Sequence, residues 1–220
     1  MPEPIAVAFL GDARTAAALE GRLGWQVAAT SEHDHLEVAA SLEADLVVGL
    51  AGVPWPTAEE LHAQGSTDLG SYTGVVSWHA LPSLHERLAD AAAPGVRAGA
   101  HLLVTAPDPG PQTLPTDVTF LREVAEALTA RLDPPSRSIA WRGDTRTPTA
   151  VDALTSLVEA HGRADVVECP VGPGMSADPS LTARATELGI RLTCIDLGAG
   201  TRVELLAEVV RTVAGHEGVA

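Results

Sequence analysis

The segment ADVVECPVG, residues 164–172, nearly repeats ADLVVGLAG, residues 44–52, at an offset of 120 residues. A second pair keeps almost the same spacing, because LGAGTRVELLAEV at 197–209 aligns with HALPSLHERLADA at 79–91. Similar segments that keep their order and spacing indicate an internal duplication. The alternative is coincidence between Ala-rich βα units. We favour duplication, since the corner AFLGDAR of the first copy also corresponds to VTAPDPG in the second.

Both copies alternate short apolar runs with longer helical stretches, as consecutive βα units around a parallel sheet do. The clearest helix is predicted at 115–132. The strands are predicted at 5–11, 25–30, 44–51, 73–78, 101–106, 137–142, 164–171 and 191–197. We therefore predict an α/β fold of two similar halves, 1–95 and 96–220, each a four-stranded parallel sheet flanked by helices. The boundary is placed at 91–100, where Pro94 and Gly95 are not expected to continue a helix.

The composition and net charge exclude some classes of binding partner. The 220 residues are 45% hydrophobic and 3% aromatic, and they carry a formal net charge of −15. Such a charge repels phosphate groups, so we expect neither nucleic acid nor a membrane as partner, whereas cations are attracted. The N-terminal MPEPIAVAFLGD has neither the basic region nor the apolar length of a signal peptide or anchor, which predicts a cytoplasmic protein. The sequence leaves a homodimer open.

Several stretches together carry a resemblance that runs along most of the chain. HLLVTAPDPG at 101–110, the helix at 120–132, the run at 138–172 and ARATELGIRLT at 183–193 are similar to the class II chelatases, the superfamily of sirohydrochlorin chelatases and ferrochelatases. These lyases insert a metal ion into a tetrapyrrole without a nucleotide. The resemblance implies a tetrapyrrole partner and divalent cobalt, nickel or iron as a substrate. The duplication separately predicts a ligand cleft between the two halves.

The expected chelatase histidines are missing from this chain. The resemblance implies a histidine just after the first strand of each half, where imidazole can bind metal and accept pyrrole protons. Residues 10–11 are Leu-Gly and residues 106–107 are Ala-Pro, while 53–55 and 173–175 lack the second family His or Glu. Two readings stay open: a chelatase with an altered site, and a non-catalytic protein that binds a tetrapyrrole or a metal.

A third reading is a different cleft enzyme on a duplicated scaffold, such as one related to the Asp/Glu racemases. Such an enzyme needs one cysteine from each half, so that two thiols flank the substrate carbon. Cys169 and Cys194 both fall in the second half, which counts against this reading. Neither belongs to a CxxC pair that would indicate zinc or redox chemistry.

The ends of the predicted strands supply the candidate catalytic residues, because ligands of open α/β sheets bind there. His79 follows the fourth strand and is the strongest candidate for binding metal or moving a proton, unless it is a partly buried histidine with a backbone partner. The ring of Trp78 beside it could contact a macrocycle. Asp12 and Asp108 follow the first strand of each half and could accept a proton or ligate metal, or simply cap a turn.

Binding residues are predicted at three further places. His33 and Glu37 would share a helix face as a two-ligand metal patch, unless they belong to an exposed helix start. Arg142 and Arg146 follow a strand and could bind tetrapyrrole carboxylates, or they could lie in a solvated loop. Thr201, with the glycines of DLGAGTR ahead of the last helix, could hold an anion. No GxGxxG or GKS pattern supports a nucleotide cofactor.

Overall fold

The computed structural model describes residues 5–10, 12–30, 37, 41–42, 44–49, 81–108, 119–162, 164–172 and 175–216. Its parallel sheets flanked by helices confirm the α/β fold. The chain divides into two compact units, Met1–Trp78 with Ala199–Ala220, and His79–Gly198. The last helix thus joins the first unit, and the helix that begins at Pro82 belongs to the second. The duplication boundary between 1–95 and 96–220 stays a prediction.

The first unit contains a parallel sheet with the strand order β2-β1-β3. Its elements are β1 (Ala6–Leu10), α1 (Ala13–Leu23), β2 (Gln26–Thr30), β3 (Leu46–Gly49) and most of α6 (Gly198–His216). The central strand β1 is buried from Ala6 to Phe9, which explains why its sequence is continuously apolar. The predicted fourth strand at 73–78 lies outside the described residues.

The second unit contains a four-stranded parallel sheet with the order β5-β4-β6-β7. Its elements are α2 (Pro82–Arg97), β4 (His101–Pro107), α3 (Thr119–Leu132), β5 (Arg137–Arg142), α4 (Ala150–His161), β6 (Val166–Pro170), α5 (Pro179–Leu188) and β7 (Leu192–Cys194). Helices α2 and α3 pack against the central strands and each other, while α4 packs with α5. The core under α4 and α5 includes Leu103, Ala140, Leu154, Leu157, Val166 and Leu181.

Helix α2 runs through the residues predicted to interrupt it. Pro94 lies inside the helix, which ends at Arg97, so the expectation for Pro94 and Gly95 was wrong. A proline in a helix removes one hydrogen bond, but the buried face of α2 holds it against the sheet. Gly95 serves this packing, because a Cβ atom there would lie 2.5 Å from Cγ2 of Val167 in β6. None of the helices in the described part of the chain is long and apolar enough to cross a membrane.

Candidate functional site

Arg142, the last residue of β5, connects three neighbouring segments of the second unit. Its Nε donates to Oε1 of Glu168 at 2.7 Å, its Nη2 donates to Sγ of Cys194 at 3.3 Å, and its Nη1 donates to the carbonyl of Ser176. Its side chain is 10% exposed. Burial by itself lowers the pKa of Arg142, but the hydrogen bond and the attraction to Glu168 outweigh burial and raise it. Arg142 is therefore a permanent cation at the carboxyl end of the sheet.

Glu168 is the residue of this candidate site that sequence reasoning missed. It lies in the middle of β6 with a fully buried side chain, and its Oε1 also accepts from the hydroxyl of Thr105 at 2.8 Å. Among the described residues its Oε2 has no hydrogen-bond partner. A buried carboxylate is costly unless it is paired. The signal in the sequence was a glutamate that interrupts the apolar run ADVVECPV.

A pocket of about 550 Å³ opens beside Arg142 at the starts of helices α4 and α5. It is lined by Arg142, Gly143, Asp144, Thr149, Ala150, Val151, Asp178 and Ser180. The guanidinium of Arg142 favours a negatively charged ligand. Asp144 and Asp178 add negative charge to the same walls. The pocket therefore suits a single carboxylate accompanied by N–H or hydroxyl donors better than a cluster of phosphates.

Both helix starts at this pocket carry side-chain caps. The hydroxyl of Thr149 accepts from the amide of Asp152 at 3.1 Å, and Oδ1 of Asp178 accepts from the amide of Ser180 at 2.8 Å. Burial alone raises the pKa of Asp178, but the hydrogen bonds from Ser180 outweigh burial and lower it. Asp178 is therefore ionised, and it contributes its charge to the pocket.

Asp108 is placed beside Arg142, where it anchors the loop that follows β5. Its carboxylate accepts from the amide of Thr145 at 2.8 Å and from the Thr145 hydroxyl at 2.6 Å, while its own amide donates to the carbonyl of Arg142 at 2.9 Å. Gly143, with a φ of +144°, lies directly against the Asp108 side chain, where any Cβ would clash. Asp108 thus shapes the loop that carries Arg146, whose guanidinium carbon lies 5.5 Å from the ring centroid of Trp141.

Replacing Asp108 by Ala is expected to loosen this loop. The loss of the acceptor for Thr145 should destabilise the unit by about 1–2 kcal/mol, and the Thr145 amide should exchange faster with deuterium. Asp108→Asn keeps one acceptor oxygen and should show a smaller effect on both measurements. Hydrogen exchange over residues 143–149 checks this, and unchanged exchange in Asp108→Ala would remove the anchoring role.

The other predicted residues are distributed as follows. Asp12 caps α1 by accepting from the amide of Thr15 at 2.9 Å, and its hydrogen bonds with Thr15 lower its pKa. Glu37 is exposed and helical. Thr201 lies inside α6, which begins at Gly198 rather than after the glycines, and the Asp196 carboxylate accepts from the Gly198 amide at 2.8 Å. The remaining three lie outside the described residues: His33, Trp78 and His79.

The two cysteines lie on adjacent strands but face opposite sides of the sheet. Cys194 is the register partner of Glu168 on β6, and Cys169 follows Glu168, so the strand's alternation turns its side chain to the other face. Burial raises the pKa of both thiols, that of Cys194 to about 11. Protonated thiols on opposite faces do not make the paired nucleophiles that the racemase-like reading requires.

No group of three or more His, Cys, Asp or Glu side chains in the described part of the chain is arranged to hold a metal ion. The predicted ligand pair of His33 and Glu37 is not tested by this, because His33 lies outside that part.

His101 lies at the amino edge of the second sheet, opposite the pocket. It is the first residue of β4, its Nδ1 lies 2.6 Å from the hydroxyl of Ser136, and its ring centroid lies 5.0 Å from that of His161. Burial first, and then His161, lower the pKa of His101 below its ordinary value of 6.5. The folded chain therefore favours neutral His101 more strongly than the unfolded chain does.

This histidine makes the stability of the second unit depend on pH. Its contribution should be complete above about pH 6.5 and should be lost as the pH falls through the lowered folded pKa, because the unfolded chain then binds more protons. We expect the free energy of unfolding to fall less steeply from about pH 7.5 to about pH 5 in His101→Gln than in the parent. Equal slopes in His101→Gln and the parent would contradict the assignment.

The parallel sheets and flanking helices form an α/β fold that is similar to that of sirohydrochlorin chelatases. Among solved structures, CbiX, described as the terminal enzyme for siroheme biosynthesis in denitrifying bacteria, is similar with a TM-score of 0.62 and 15% identity, over 96% of this chain and 99% of that one. SirB from Bacillus subtilis with Fe³⁺ gives a TM-score of 0.60 and 14% identity, over 99% and 98%. The cobalt complex of the sirohydrochlorin chelatase SirB from Bacillus subtilis subspecies spizizenii gives 0.56 and 14%, over the same shares. At these identities the likeness concerns the fold. No family model and no curated protein matches the sequence.

Proposed function

We propose that the protein binds a carboxylate-bearing tetrapyrrole, with a divalent metal ion as the second substrate, as a chelatase with an altered site. The observation that carries the proposal is the likeness to CbiX and SirB over nearly the whole length of every chain. Two similar halves, the predicted cleft and a cytoplasmic location belong to this proposal as predictions.

Arg142 supports the carboxylate part of the proposal. Its planar guanidinium matches the two oxygens of a carboxylate, whereas Asp178 already accepts from the amides of Ser180 and Leu181 at the start of α5. Arg146 follows four residues later on the loop held by Asp108. We assign tetrapyrrole acetate or propionate groups to this corner, and we keep Thr201 and Trp78 as further predicted contacts.

Metal delivery is proposed for side chains other than the usual histidines. His79 would accept the metal ion or pyrrole protons, because imidazole titrates near neutral pH. His33 and Glu37 would form the second metal-binding patch. Asp12 and Asp108 stand at the two corners, but hydrogen bonds from Thr15 and Thr145 already occupy their carboxylates. This occupation favours a second candidate function, which is tetrapyrrole binding without insertion.

Absorbance spectroscopy separates the two functions. The protein is mixed with sirohydrochlorin or coproporphyrin, and then with Co²⁺, Ni²⁺ or Fe²⁺. A band shift on mixing supports binding, and a further change on adding metal, faster than without protein, supports insertion. If the absorbance changes at neither step, both proposed functions are wrong. His79→Ala should abolish insertion and keep the first shift, whereas His85→Ala should retain both.

A further inference from the structure

Glu168 holds Arg142 by one specific bond. Its Oε1 accepts from Nε of Arg142, and the hydroxyl of Thr105 donates to the same oxygen. Replacing a buried ion pair by apolar side chains is often neutral or stabilising. Stability alone therefore does not explain the presence of this ion pair. Because Arg142 lines the pocket, a role of the pair in ligand binding does explain it.

The bonds of Arg142 leave a defined set of donors. A guanidinium has five N–H groups. Within the described residues, bonds to Glu168, Ser176 and Cys194 use one each on Nε, Nη1 and Nη2. One N–H therefore remains on each Nη, which is the number that a bidentate carboxylate takes.

We propose that Glu168 is a positioning residue, which fixes the guanidinium of Arg142 through Nε so that its two remaining N–H groups receive one carboxylate of the ligand. The identity of that ligand as a tetrapyrrole rests on the proposed function. The positioning itself concerns only Glu168, Arg142 and their neighbours.

The reactivity of the Cys194 thiol can be used to measure the state of the Glu168–Arg142 pair without any ligand. Its Sγ lies 3.3 Å from Nη2 of Arg142, and its residue is only partly buried. Burial and the charge of Glu168 raise the pKa of the Cys194 thiol, while Arg142 lowers it. Alkylation by iodoacetamide, which attacks as the thiolate forms, therefore senses whether each charge is in place.

The first experiment compares Glu168→Gln with Glu168→Leu. Both remove the negative charge, but only the Gln amide keeps an oxygen that accepts from Nε. Alkylation of Cys194 near pH 8, followed by peptide mass spectrometry, should be faster in Glu168→Gln than in the parent. A lower thiol pKa raises the thiolate fraction more than it lowers the nucleophilicity of the thiolate, which gives about threefold to tenfold for each unit by which the pKa falls. Glu168→Leu should react at least about threefold more slowly than Glu168→Gln, because the released Arg142 no longer lowers that pKa.

Two further variants serve as controls for the alkylation rates. Glu187→Gln, on the exposed face of α5, removes the same charge away from the pair and should react as the parent does. Glu168→Met replaces Glu168→Leu if circular dichroism shows that the latter is unfolded. Equal alkylation rates in the Gln and apolar variants would overturn the positioning role.

The second experiment measures ligand affinity by sirohydrochlorin titration. Glu168→Gln should stay within about threefold of the parent Kd, whereas Glu168→Leu should lose about tenfold or more, as expected when a charge-assisted contact is no longer aligned. Parent affinity in a folded Glu168→Leu would overturn the link to the ligand. If the parent itself shows no spectral change, the proposed function fails, and the alkylation rates still decide the positioning of Arg142.

Discussion

Arg142→Met is expected to destabilise the second unit by about 3–5 kcal/mol, the usual cost of leaving one partner of a buried ion pair behind. Glu168 is 0% exposed at its side chain, so the variant leaves a buried carboxylate without its guanidinium partner. Its Oε1 would keep the Thr105 hydroxyl as its donor, while Oε2 already has no partner among the described residues. Urea unfolding followed by far-UV circular dichroism measures the change.

Two further variants show that the loss comes from the unpaired charge. In Arg142→Met/Glu168→Leu both charges leave together, and most of the lost stability should return, since apolar replacement of a buried pair is often neutral or better. Arg184→Met removes an arginine whose side chain is 34% exposed and whose partner, Glu187, is 65% exposed. That exposed pair should cost less than about 1 kcal/mol. A loss below about 1 kcal/mol in Arg142→Met would mean that Glu168 is not a buried anion.

Trp141→Ala is expected to cost about 3–5 kcal/mol, the range for removing a buried aromatic side chain. Trp141 is 1% exposed and is the largest of the fully buried side chains in the described part of the chain. Its amide also donates to the carbonyl of Pro148 at 3.0 Å, so the residue joins the core to the returning loop. Thermal or urea unfolding checks the value.

Trp141→Phe is the control for this substitution. It keeps an aromatic ring in the core and under Arg146, so it should lose much less stability than Trp141→Ala. Arg146→Ala removes the cation above the ring and should cost only about 0.5–1 kcal/mol. Similar losses for the Ala and Phe variants would contradict the assignment of the stability to packing of the aromatic ring.

These two neighbours explain how one strand end serves both the core and the pocket. Successive side chains of a strand point to opposite faces, so Trp141 and Arg142 lie on different sides of the sheet. The ring fixes the strand within the core, and the guanidinium beside it reaches the pocket.

The described strands of the second sheet were largely predictable from local pattern. The predicted strands at 101–106, 137–142 and 164–171 correspond to β4, β5 and β6 within about two residues. The strands β4 and β6 are buried along nearly their whole length and are mostly apolar, whereas the edge strand β5 is buried only at Ala140 and Trp141. The last strand is shorter than predicted. It ends at Cys194, since the Asp196 carboxylate turns to the amide of Gly198 and helix α6 begins there.

Predictions from local sequence were wrong or incomplete where a contact with a residue far away in the chain decided the structure. Pro94 and Gly95 indicated a break, yet α2 continues because its buried face and the close approach of Gly95 to Val167 outweigh one missing hydrogen bond. Asp108 was selected correctly as a strand-end residue. Its loop-anchoring contact with Thr145, 37 residues away, could not be read from spacing.

The sequence by itself determined the alternation of strands and helices, the parallel sheets and the edge at which polar residues collect, since these depend on periodicity within a few residues. The tertiary structure alone decided that Glu168 and Arg142 would pair. They are 26 residues apart, and they meet through the strand order β5-β4-β6, which brings their side chains to one face of the sheet. A charge buried within a sheet is stable only with a partner nearby, and that partner is chosen by the strand order and register rather than by position along the chain.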